Sequence, residues 1–221
     1  MSRRTLPLTL LVPLLTAFLW AVALPASAQD TRDWPTYGTS DVPELEGYGD
    51  FSVSYPAWFE AIGEVNVGGD DQNAQIKIAA GESRSGGHKF ELVLLIVPVN
   101  QEFIQQLDGP ESASVWNSVG EDFRSDPSTG TFSGMRPLVF KGNKAADFVN
   151  SALDAVDPED GTPTYVVMAS RLVVSGLHLY MAVCGASGIS EDQARLEGFA
   201  SREIPAVAEV CLPFLDSIEV K

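Results

Sequence analysis

The residues with the widest chemical reach are few. Asp154-x-x-Asp157-x-Glu159-Asp160 gathers four carboxylates within one short segment. Clustered carboxylates suit calcium, a hard cation that takes about six to eight oxygen ligands. The spacing departs from the EF-hand loop: counted from Asp157, Met168 stands where the closing bidentate glutamate belongs. Asp70-Asp71 and Glu121-Asp122 with Asp126 are thinner versions of the same pattern. Such runs also serve as plain solvated surface in an acidic chain. The expected metal-ligating set is Asp154, Asp157, Glu159 and Asp160, with calcium as the cation; no other cofactor is expected.

Catalytic constellations are scarce. The two histidines are His88, after Ser85-Gly86-Gly87 in a turn, and His178, inside an apolar run beside Tyr180. They lack the paired spacing of a helical zinc site. Gly185-Ala186-Ser187-Gly188 and Gly130-Thr131-Phe132-Ser133-Gly134 place serine wrongly for a nucleophile elbow. No glycine-rich loop leads from a strand into a helix in the phosphate-binding manner. No enzymatic activity is expected.

Cys184 and Cys211 are the only thiols. Their reading depends on compartment. Arg3 and Arg4 precede an apolar stretch from Leu6 to Leu24, and Ala26-Ser27-Ala28 supplies small residues before Gln29. Residues 1–28 therefore read as a secretory signal peptide. The alternative is an uncleaved anchor, since the run is about long enough to span a bilayer; Pro7, Pro13 and the Ala-x-Ala end favour cleavage and no anchor afterwards. Ser2-Arg3-Arg4-Thr5-Leu6 also fits the start of a twin-arginine signal, so the export route stays open. An oxidising compartment makes a Cys184–Cys211 disulfide the natural expectation; two buried free thiols are the alternative. Bridging requires the chain to turn back near Pro205.

Charge and length set further bounds. Of 221 residues, 14 are Lys or Arg and 30 Asp or Glu, a formal charge of −16. Cleavage after Ala28 removes Arg3 and Arg4 and no acid, leaving 12 basic against 30 acidic residues. Such a chain has no net field to hold a phosphate backbone, so nucleic acid is excluded as a partner. With 45% hydrophobic residues it can bury a core and is not disordered. A mature chain of about 190 residues fits one domain.

The elements that must position these residues read as follows. Residues 29–50, broken by Pro35, Gly38, Pro43, Gly47 and Gly49, read as a polar exposed arm with Trp34 and Tyr37 as docking points. Strands are expected at 51–55, 62–67 and 74–78, and at 90–97 as a central strand buried on both faces. Phe103, Ile104 and Leu107 fit a helical turn or two, and Val115, Trp116, Val119 and Phe123 a longer helix. Leu138 to Phe140 is a short strand, 145–153 fits helix or strand, and 154–162 is an acidic loop. Residues 164–174 and 177–184, joined by Ser175-Gly176, give a hairpin. Ser190-Glu191-Asp192-Gln193 is a capping box opening a helix through Leu196 and Phe199, which Pro205 breaks or restarts. The sum is an α+β fold, a mostly antiparallel sheet with helices packed on its faces.

Phe51-Ser52-Val53-Ser54-Tyr55-Pro56 with Trp58 resembles the opening strand of PsbP-like domains. The ending is similar too: Arg171-Leu172-Val173-Val174, a Ser175-Gly176 turn, Leu177-His178-Leu179-Tyr180, then a helix closing in Phe214-Leu215-Asp216-Ser217-Ile218. Lys141 to Phe148 resembles the family's penultimate strand, which favours strand there. The resemblance spans about residues 48–221 and implies an α/β/α sandwich with a central, mostly antiparallel sheet and helices on both faces. It also implies non-catalytic protein binding; no functional residue carries over. The expected domain is 51–221. The expected function is that of a non-enzymatic periplasmic or secreted bacterial accessory protein binding another envelope protein. The alternative is an extracytoplasmic cation- or small-ligand-binding protein using its acidic loops.

Overall fold

The computed structural model describes residues 33–68, 73–84, 87–125, 131–156, 161, 163–188 and 205–221. The expected signal peptide at 1–28, Asp70-Asp71, Asp126 and the capping box with its helix at 190–199 lie outside these residues.

Strands dominate. They are β1 (Thr36–Gly38), β2 (Phe51–Ser54), β3 (Glu60–Gly68), β4 (Asn73–Glu82), β5 (Lys89–Pro98), β6 (Thr131–Phe132), β7 (Arg136–Phe140), β8 (Asn143–Val156), β9 (Pro163–Ser175), β10 (His178–Ser187) and β11 (Glu219–Val220). The helices are α1 (Gln101–Asp108), α2 (Ser112–Ser125) and α3 (Pro205–Ser217). The large sheet runs β3-β4-β5-β10-β9-β8-β6, with β7 also on β8, and its pairs are antiparallel. A small sheet, β1-β2-β11, joins distant parts of the chain.

This corrects the expected α/β/α sandwich with helices on both faces: the fold is mostly antiparallel β, in two sheets, and neither face of the large sheet carries a full layer of helices. One face of the large sheet is covered by the small sheet, residues 33–50 and α3 together. Leu45, Val53, Val207, Val210, Phe214 and Leu215 all pack in that core. On the opposite face, α1 and α2 cover only one end, where Leu107 and Trp116 meet Ala146, Phe148, Leu172 and Val174. The reason lies in how the chain spends its length. Long strands consume the residues that a layered α/β/α fold would place in helices.

Local patterns explain most elements. In β5, Phe90, Leu92, Leu94 and Ile96 are buried, while Val93, Leu95 and Val97 on the other face are half-buried. The expected two-sided burial of this strand is thus one-sided, because α1 and α2 do not extend over it. Alternating side chains make that distinction possible. β8 reads ambiguously in sequence because both of its faces are covered: Ala145 and Val149 point one way, Ala146 and Phe148 the other. The β9–β10 hairpin closes through Gly176-Leu177, since Ser175 pairs with His178; Gly176 takes φ +56°, as a tight turn requires. The turn is one residue later than expected.

Asn100 caps α1, its side chain accepting from the Phe103 N–H at 2.8 Å. Lys144 on β8 closes the other end, donating to the Leu107 carbonyl at 2.6 Å and to the Asp108 carboxylate. The polar segment before β2 is not an exposed arm. Trp34, Val42 and Leu45 are buried, and Trp34 stands edge-on to Trp58 at 6.1 Å. Its polar residues face outward from two short 3-10 turns, Thr39–Asp41 and Pro43–Leu45.

Candidate functional site

The uncovered part of the large sheet forms the site. Register places its residues in rows across the strands. One row runs Asn150 (β8), Met168 (β9), Gly185 (β10) and Glu91 (β5). The next runs Phe148, Ser170, Val183 and Val93. A third, partly beneath α1 and α2, carries Leu172, Met181 and Leu95. Because side chains alternate, these residues share one face. All of them but Leu172, which packs under α1 and α2, line a cleft of about 310 Å³ together with Gln75 and Val166, a size at the lower end of small-molecule sites.

Gln75, Glu91 and Ser170 are polar members of the lining, and two further residues stand out in it. Asn150 is 3% exposed, yet its Oδ1 has no hydrogen-bond partner. A buried amide oxygen without a donor costs about 1–3 kcal/mol. Gly185 sits in the middle of β10, where a glycine weakens a strand. Its backbone does not need glycine: φ is not positive, and an added Cβ would meet only the Glu91 carbonyl oxygen at 3.7 Å. Its effect is to leave a gap in the floor of the cleft. At the rim, Lys77 pairs with Glu91 at 3.3 Å.

The residues singled out by sequence fall elsewhere. Asp154 lies in β8, which extends into the segment expected as loop; Asp157, Glu159 and Asp160 lie outside the described residues. Among the described residues, no group of three or more His, Cys, Asp or Glu could hold a metal ion. Cys184 and Cys211 are joined, with Cα atoms 5.3 Å apart and both residues buried, so α3 is tied to β10. α3 begins at Pro205, a residue well suited to a first helical turn.

His178 packs against Tyr48 and Tyr180 at 6.2 and 6.1 Å, and burial lowers its pKa. Desolvation, then the charge of Asp50, pushes the Tyr180 phenol up to about 12; its hydroxyl donates to the Tyr48 carbonyl at 2.8 Å. Both side chains hold the 33–50 segment rather than lining the cleft. His88 lies apart from His178, at the foot of β5, with its Nδ1 buried and unpartnered.

Sequence reasoning missed a buried ionic cluster. Arg171 on β9 donates from Nε and Nη2 to Asp147 on β8 at 2.8 and 3.1 Å, and from Nη1 to the Leu215 carbonyl at 3.1 Å and Asp216 at 2.6 Å. Its guanidinium lies 4.3 Å from the Phe140 ring centre. Desolvation lowers its pKa, but the bonds and charges of Asp147 and Asp216 outweigh this and raise it. The cluster fastens the end of α3 to the sheet. Only an arginine and an aspartate on separate apolar strands could have signalled it.

No family model matches the chain, and no curated protein matches it. Among solved structures it is similar to LpqN of Mycobacterium tuberculosis, a protein involved in cell envelope biogenesis. Identity is 11%, the TM-score 0.41, and the match covers 86% of this chain and 94% of that one. It is also similar to a protein of Bacteroides thetaiotaomicron, with 12% identity and a TM-score of 0.31, over 77% of this chain and 45% of the other. With no matching family model, PsbP-like domains remain a resemblance in motif and element order.

Proposed function

We propose that this chain is a non-enzymatic accessory protein of the bacterial cell exterior, periplasmic or secreted, which binds another envelope protein along the open edge of its large sheet. β3 carries the reading. It ends the strand order among the described residues, and all of its nine residues but Val65 are exposed. Ile62 and Val67 stand 41% and 49% exposed on it. A bulge near Gly63 interrupts the first part of the strand, leaving Glu64–Gly68 as a regular edge. Such an edge offers unpaired backbone groups to an incoming strand. Its Glu60 and Glu64 favour a basic partner segment. The leader-like residues 1–28 and the Cys184–Cys211 bond support the oxidising compartment.

The test is in-cell cross-linking in envelope fractions, comparing the native chain with Val67→Lys and Ile62→Lys. The expected result is one cross-linked envelope protein, lost in both variants while their melting temperatures stay unchanged. Equal cross-linking in all three, or recovery of the protein only from cytoplasm with two free thiols, would overturn the reading.

A further inference from the structure

The β3 edge leaves the cleft on the sheet face without a role. We infer that this cleft binds a neutral amphiphile: an unbranched alkyl or acyl chain lying over Gly185, with a hydroxyl or amide N–H donated to Asn150 Oδ1. Neither the expected acidic-loop site nor the β3 edge enters this inference.

Three observations converge on this cleft. Asn150 Oδ1 is a buried acceptor with no donor, and it lies among the residues lining the cleft. A ligand donor placed there would remove a desolvation cost that the protein alone bears. Gly185 stands two strands away, both residues flanking Met168 in register. It creates depth where any side chain would fill the cleft, and its backbone geometry gives no other reason for glycine. Around these two, Val93, Leu95, Phe148, Met168, Met181 and Val183 supply apolar walls. Two of them are methionines, whose flexible thioethers adapt to a chain of indefinite shape.

Charge decides the class of headgroup. The chain carries −16 overall, no Lys or Arg is among the residues lining the cleft, and Lys77 nearby is already paired with Glu91. Asn150 Oδ1 is an acceptor and would face a carboxylate or phosphate oxygen repulsively. A neutral donor is therefore preferred over an anionic headgroup. Asn150, 3% exposed and among the lining residues, reads the polar end, while Val93, Val183, Met181 and Leu95 take the apolar chain.

Isothermal titration of the full disulfide-bonded protein with decan-1-ol, decyl methyl ether and decanoate tests this. The native chain should prefer the alcohol to the ether by about tenfold, the loss expected when a buried acceptor is left unpaired, and decanoate should bind more weakly still. Asn150→Leu should bind alcohol and ether alike. Gly185→Val should abolish binding at an unchanged melting temperature; Gly185→Ala, a smaller intrusion, should weaken it and serves if the valine variant does not fold. No binding of any probe, tenfold preference persisting in Asn150→Leu, or unchanged affinity in a folded Gly185 variant would each overturn the inference. Equal cross-linking in the native chain and both β3 variants, with decanol binding intact, would instead refute the protein-binding function alone.

Discussion

Arg171 and Asp147 face each other across β9 and β8 as a two-bond pair, their side chains only 6% and 4% exposed. Paired and hydrogen-bonded, two such charges can be buried; separated, either one is costly. Asp147→Ala should therefore destabilise the protein by about 3–5 kcal/mol, because it strands a buried guanidinium. Asp216→Ala should cost under about 1 kcal/mol, since that carboxylate is 66% exposed. Urea unfolding midpoints of the two variants check the contrast.

Removal of the disulfide should act through the unfolded chain. Cys184 and Cys211 enclose a loop with a separation of 27 residues. The chain-entropy model gives about 3.5 kcal/mol for such a loop. The double variant Cys184→Ala/Cys211→Ala should lose about that much, measured by urea unfolding under non-reducing conditions. Adding reductant to the native protein should approach the same midpoint.

Stability should fall at alkaline pH through Tyr180. The phenol is held protonated in the folded state, up to about 12 against an ordinary 10.0. The folded chain then binds more protons than the unfolded one between these values, so stability is full below pH 10 and is lost as pH rises toward 12. Tyr180→Phe should flatten this limb. His178 acts oppositely: burial lowers its pKa from 6.5, so stability is present above 6.5 and is lost as pH falls through the folded value. His178→Gln should flatten the acid limb. Melting temperatures across pH, native against each variant, give both slopes.

Gly81→Ala tests a close contact in the core. A Cβ on Gly81 would strike the Phe59 ring, 2.7 Å from Cγ. Phe59 is held in turn by Trp58 and Phe90, with ring centres 5.8 and 6.0 Å away. Because the ring cannot easily yield, the methyl should cost about 1–3 kcal/mol as overpacking. Gly87→Ala, where nothing lies within 4 Å, serves as the comparison for backbone strain alone, with φ +83°. Thermal unfolding of both separates the two costs.

Strands with one wet face were legible in the chain: Phe51 and Val53 alternate with Ser52 and Ser54, and the structure buries the first pair. The β9–β10 hairpin was legible for the same local reason. β8 was not, because a strand covered on both sides loses its alternation. The 33–50 segment was misread because composition counts all residues equally, while Trp34, Val42 and Leu45 alone anchor it. The cleft was illegible for a deeper reason. Asn150 and Gly185 become neighbours across Met168 only through the register of three strands, and register is not written in either residue's surroundings. The cysteines were readable because their chemistry admits only one partner within the chain.

The small sheet has a consequence for how quickly the protein can fold. Ser217 accepts from the Ser54 N–H at 2.8 Å and donates to the Phe214 carbonyl at 2.7 Å, and Val220 pairs with Phe51. Ser54 and Ser217 are 163 residues apart. Loop-closure entropy must be met before such a contact returns any stability, so high contact order slows folding. The small sheet should therefore close late, after the large sheet has drawn both segments to its covered face. The nascent protein would then spend its longest interval as a formed sheet still lacking that cover.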